Sequence, residues 1–236
     1  MAAELVFATD AVSAVAAVTL VYSTFKPCKL SGVQYLLGVP AGFGLVAIGF
    51  FTSILGLLAD SNEPVTLVMG IFSFLTLTYG LLFISLTYAR RTRFRIVGES
   101  IILEIAIPSI ITIWAVTYVI VSHEFASASI IVSSLEIPLR CVMALAALYV
   151  FYEAERSWRF TQKASEGIVA VAFAFLFVEQ IGFILAAQGF GEIASFVGYE
   201  GRILGLLILI AVTTFGTAKG NYTLVLRRLG LTAPAH

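Results

Sequence analysis

A lysine, Lys219, sits in the stretch "TTFGTAKGNYTLVLRRLG" (213–230), eight residues before the pair Arg227 and Arg228. If the segment is a membrane helix, this places the lysine roughly 12 Å inside the arginine boundary, at ~1.5 Å per residue. Burial favours the neutral form of an amine, and a neutral amine is nucleophilic toward an aldehyde, so the chemistry available is a Schiff base. A protonated Schiff base is a buried cation and needs a carboxylate nearby. The plainer reading is a lysine that bends its stem toward the inner interface. That stem covers about half of the ~12 Å, and a tilted helix or a thin bilayer would cover the rest.

Other charges lie deep in apolar sequence. Arg140 follows Glu136 by four residues, the spacing of an ion pair on one helix face. An unpaired charge in lipid is expensive, so Glu136 and Arg140 are expected to pair and to face the bundle. Glu179, next to Gln180, falls near the middle of its apolar run, and Glu104 is a further deep acid. Arg202 is expected near the outer interface beside Glu200, as an anchor. A structural polar network and a functional site both fit these residues.

The elements that must position them follow from composition. The chain is 60% hydrophobic and 12% charged, with mean hydropathy +1.01. Soluble domains average about 45–50% apolar and about 25% charged, so an all-α, multi-pass protein of the cell membrane is expected, with the lipid bilayer as its main partner. The formal net charge of zero points away from nucleic acid. Cys28 and Cys141 are far apart, and neither reads as half of a disulfide or as a metal ligand. Seven apolar runs are long enough to span, at about 4–25, 34–59, 65–89, 97–122, 128–152, 166–189 and 200–226. They form a single domain, 1–236. The first run carries Asp10, lacks a basic start and precedes Lys26 and Lys29, so it reads as a retained helix rather than a signal peptide.

Eleven of the fourteen basic residues fall on alternate connections: Lys26 and Lys29, then Arg90, Arg91, Arg93 and Arg95, then Arg156, Arg159 and Lys163, then Arg227 and Arg228. The other connections, "ADSNEP", "SHEFAS" and "QGFGEIASFVGYE", have none. The expected orientation has the N-terminus outside and the C-terminus inside. A faint internal echo ("TLVYSTF" with "AALYVFY", "AIGFF" with "QIGFI") would relate the first three spans to the last three.

The stretch "TAKGNYTLVLRR" resembles the seventh helix of the microbial rhodopsins. In that family a small residue and an alanine precede the retinal lysine, an aromatic follows three residues later, then an aliphatic run and an arginine nine residues on. The matching residues are Thr217, Ala218, Lys219, Tyr222, Leu224, Val225, Leu226 and Arg228. Weaker patches are Val39–Pro40–Ala41, similar to the start of the family's second helix, and Ala147 to Tyr152, similar to its fifth. The resemblance implies a rhodopsin-like seven-transmembrane-helix bundle with retinal as a covalent chromophore on Lys219. It covers the chain in architecture but only these patches in sequence.

The departures are substantial. Aligned on the third span, the family's arginine, acidic counterion and tryptophan become Gly70, Ser73 and Phe74, and the proton-donor position becomes Ile84. The acid one turn before the lysine becomes Phe215, and the two tryptophans of the sixth helix become Phe177 and Ile184. The resemblance therefore implies an aromatic pocket, with Phe74 and Phe177 on either side of a polyene, and no outward proton pumping. Glu179 and Gln180 fall where the family points side chains at the Schiff base. Glu179 is the first choice of counterion, Glu136 the second and Asp10 the third. The expected function is a sensory or otherwise non-pumping retinal photoreceptor, with a second copy or a membrane transducer as protein partner. The alternatives are a sensor or accessory protein without retinal, and a three-plus-one-plus-three small-solute transporter, for which Pro40, Pro108 and Pro138 inside spans speak. No cluster with catalytic spacing is visible, so an enzyme is not expected.

Overall fold

The computed structural model describes residues 2–31, 34–59, 63–92 and 128–217, and these are all helical apart from short turns. The helices are α1 (Ala2–Leu30), α2 (Gly38–Leu58, entered through a 3-10 turn at Gln34–Leu37), α3 (Glu63–Thr92), α4 (Ala128–Thr161), α5 (Ala164–Ala187) and α6 (Glu192–Thr217). Each of the six is long and apolar enough to cross a membrane. The expected span at 97–122, with Glu104, Pro108 and Trp114, lies outside the described residues, as do Lys219 and the tail arginines.

The helices follow one another round a ring, each packing on the next, and α1 closes it against α6. Named contacts give their directions. Asp10 meets Arg202 and Ser23 meets Thr213, so α1 and α6 run parallel. Ser73 reaches the Gly49 carbonyl, and Gly80 lies against Gly42, so α2 and α3 are antiparallel. Arg140 lies over Phe74, and Leu81 packs with Met143 and Ala146, so α3 and α4 are parallel neighbours. The C-terminal ends of α1, α3, α4 and α6 therefore share one end of the bundle, which carries Lys26, Lys29, Arg156 and Arg159.

Two expected boundaries are corrected. The last helix begins at Glu192, not 200: Gly189 and Gly191, at φ +91 and +85, make a tight turn, and the Gly189 and Phe190 N–H groups bond the Ala186 and Leu185 carbonyls. That turn uses only four residues, and Glu192 then suits the positive end of the α6 dipole. The helix at 128–152 runs on to Thr161, where Glu155 pairs with Arg159 one turn apart, and Gln162 at φ 55 ends it.

Small residues bring the backbones together. A Cβ on Gly201 would meet the Phe175 carbonyl oxygen at 2.8 Å, and one on Gly205 the Ala172 carbonyl oxygen at 2.9 Å. α6 therefore lies directly on α5, as small residues permit where no hydrophobic effect drives helices together in lipid. Buried hydroxyls of Ser13, Thr24 and Thr213 bond the carbonyl one turn back, so each is satisfied without water. The apolar core runs from Leu20 and Phe43 through Ala147 to Phe173 and Leu209.

Candidate functional site

Charge gathers where the six helices face one another, in the half of the bundle away from the basic end. Arg202 sits ten residues into α6, about 15 Å from its start at ~1.5 Å per residue. Because Gly201 lets α6 touch α5 beside Glu179, the Arg202 side chain reaches two carboxylates. Its Nε donates to Glu179 Oε1 at 2.7 Å, and its Nη1 donates to Asp10 Oδ1 at 2.5 Å. Ser53 of α2 donates to the other oxygen of Asp10 at 2.6 Å. All three charged groups are buried, at 4–6% exposure. The expected role of Arg202 as an interfacial anchor is thus corrected. With α6 starting at Glu192, the residue lies nearly three turns deep, where an unpaired guanidinium would be too costly.

A second pair lies alongside. Arg140 Nε donates to Glu136 Oε1 at 2.7 Å, and Arg140 is buried. Aromatic faces cover both guanidinium groups. Arg140 lies 4.3 Å from the Phe183 centroid and 5.0 Å from that of Phe74, while Arg202 lies 4.7 Å from Phe50 and 5.2 Å from Phe183. Phe183 contacts both cations and packs edge-on to Tyr199 at 4.9 Å. Such cation–π contacts contribute about 0.5–2 kcal/mol each, most when desolvated.

A cavity of about 160 Å³ opens among these groups. Its polar lining includes Asp10, Ser53, Arg140, Glu179, Gln180 and Arg202, and its apolar lining includes Phe43, Phe74, Leu77 and Leu81. Gln180 is 2% exposed, and its Oε1 has no hydrogen-bond partner among the described residues. A buried amide oxygen left without a donor costs about 1–3 kcal/mol. The cavity therefore sets paired charges beside an apolar wall.

Of the residues singled out in the sequence, Asp10, Gly70, Ser73, Phe74, Arg140, Glu179, Gln180 and Arg202 come together on this cavity. Ser73 donates to the Gly49 carbonyl at 2.8 Å. Glu179 spends one oxygen on Arg202. Phe177 packs against the apolar core, and Ile184 is half-buried; neither lines the cavity, and it is Phe183 that faces Phe74 across Arg140. The backbone of Phe215 belongs to α6, its side chain lies outside the description, and Lys219 lies outside the described residues. The residues not foreseen here are Ser53, Phe50, Phe183, Tyr199 and the joining of Asp10 to Arg202. Asp10 and Arg202 were readable as charges within apolar sequence. No family model, curated protein or solved structure matches the chain.

Proposed function

We propose that the protein is a seven-helix receptor or sensor of the cell membrane that binds a small molecule in this cavity without catalysing a reaction. The observation that carries the reading is the cavity itself: about 160 Å³ set among the buried side chains of Asp10, Arg140, Glu179 and Arg202 and an apolar wall. Two features support the seven-helix form with the N-terminus outside. Parallel neighbours need a chain that returns between them, and the apolar run at 97–122 is long enough to return from α3 to α4 as a span. The basic end carries Lys26, Lys29, Arg156 and Arg159, which favours the cytoplasmic side. The cavity then lies in the outer half.

The test is thermal unfolding of the purified protein in detergent against small amines, carboxylic acids and alcohols. A ligand that binds only the folded state at 100 times its Kd adds about 2.7 kcal/mol. Saturable stabilisation that disappears in Gly70→Leu, which fills the cavity, is the expected result. No stabilising compound, or stabilisation unchanged in the filled variant, overturns the reading.

Retinal on Lys219 is a second reading, favoured by the meeting of Ser73, Phe74, Glu179 and Gln180 on one cavity. It has a distance to meet: Leu206, the last α6 residue on the cavity, precedes Lys219 by thirteen residues. Adding all-trans retinal to the same sample decides it. A visible band that Lys219→Ala abolishes supports a Schiff base, and a colourless protein removes it.

A further inference from the structure

We infer that the ligand of this cavity carries a carbonyl or carboxylate oxygen that Arg140 binds, on a short apolar body. The inference rests on the cavity being a ligand site and adds its chemical class. A guanidinium has N–H donors on three nitrogens, keeps its charge at any physiological pH and accepts nothing. Arg140 uses one nitrogen: Nε donates to Glu136 Oε1 at 2.7 Å. Among the described residues Nη1 and Nη2 have no hydrogen-bond partner, and neither is sealed from water. The side chain as a whole is deep, at 10% exposure.

These donors open onto the cavity. The guanidinium carbon of Arg140 lies 5.0 Å from the Phe74 ring centroid and 4.3 Å from that of Phe183, and Arg140 and both rings line the cavity. Rings cover the face of a guanidinium and leave its donors at the edge. With Nε spent on Glu136, the open edge is the one between Nη1 and Nη2. That edge accommodates a single carbonyl oxygen, or both oxygens of a carboxylate in parallel hydrogen bonds, and such charge-assisted bonds are the stronger kind. An ammonium has donors only, so it offers this edge nothing. Arg202 is the more occupied guanidinium, with Nε on Glu179 and Nη1 on Asp10. The rest of the wall, Phe43, Leu77 and Leu81, gives apolar contact, and the cavity is about 160 Å³. An apolar cavity of about 150 Å³ is enough for benzene, so the ligand has about six non-hydrogen atoms.

The experiment measures binding of butyramide, butyrate and n-butylammonium to the full chain in detergent, by calorimetry and thermal unfolding. Butyramide, butyrate or both should bind saturably, and n-butylammonium should not. Butyramide alone assigns a neutral carbonyl, and butyrate alone assigns a carboxylate. The double variant Glu136→Gln with Arg140→Met removes the donors and leaves no partner of that pair unpaired. It should weaken the oxygen ligand about ten- to hundredfold, the range for losing a hydrogen bond to a charged group. Should the double variant not fold, Arg140→Lys keeps a cation beside Glu136, removes the Nη edge and should weaken the same ligand. n-Butylammonium binding as tightly as the better oxygen ligand, or either variant binding that ligand as the wild type does, overturns the inference. If a compound without an oxygen acceptor stabilises the protein and neither oxygen ligand does, the chemical class falls while the ligand site stands. If nothing binds, both fall.

Discussion

Removing Arg202 should cost far more than removing either acid that it holds, and the size of that asymmetry follows from the geometry. At an effective dielectric near 20, opposite charges about 4 Å apart attract by about 4 kcal/mol. Arg202 makes two such contacts, at 2.5 and 2.7 Å between donor and acceptor atoms. Arg202→Met forfeits both and leaves Asp10 and Glu179 facing each other in a buried site. Breaking a buried ion pair on one side typically costs about 3–5 kcal/mol. Asp10→Asn leaves Arg202 paired one for one with Glu179. Its cost should be about 1 kcal/mol, chiefly weakened hydrogen bonding to Ser53 and Arg202. Replacing all three residues together, as Asp10→Asn, Glu179→Gln and Arg202→Met, should recover much of the loss seen with Arg202→Met alone, since no charge is left unpaired. The assay is unfolding in mixed detergent micelles, followed by helical content. Equal losses for Arg202→Met and Asp10→Asn, or a triple variant no better than Arg202→Met, would refute the reasoning.

Gly201→Leu should destabilise by several kcal/mol, because even a Cβ there meets the Phe175 carbonyl oxygen at 2.8 Å, whereas Gly70→Ala, with nothing within 4 Å, should be neutral or stabilising by up to about 1 kcal/mol; paired unfolding curves check both. Arg140→Met should cost about 3 kcal/mol or more in the same assay by leaving Glu136 unpaired, and Glu136→Gln should restore part of it when added. A cysteine placed in the 60–62 connection of a cysteine-free background should be labelled from outside the cell; labelling only after permeabilisation would reverse the orientation.

The residues that could be read from the sequence were those whose cost in lipid is high whatever their surroundings. Glu136 and Arg140, four apart, sit at hydrogen-bond distance, and the run around Glu179 and Gln180 does face the bundle interior. Six helices match apolar runs because length and hydropathy alone define them. What was missed is long-range or depends on a boundary. "QGFGEIASFVGYE" reads as a polar connection because Glu192 and Glu200 interrupt it. Only its first residues turn, on two glycines with positive φ, and the rest is helix. That eight-residue error moved Arg202 from the interior to the surface on paper and hid its bond to Asp10, 192 positions away. Phe183 was passed over because an aromatic in an apolar run looks like lipid-facing surface until its neighbours are known. Its contact with two guanidinium groups comes from α4 and α6 converging on α5.

The cavity itself can be probed most directly through Gly70, which lines it and whose Cβ position is open. Gly70→Cys, in a background with Cys28 and Cys141 replaced, would be treated in intact cells with membrane-impermeant methanethiosulfonate reagents of equal size and opposite charge. Modification from outside, slowed by any compound that stabilises the protein in thermal unfolding, is the expected result. A thiol that reacts only after the cells are permeabilised, or whose rate no stabilising compound changes, would contradict an outward-facing ligand cavity.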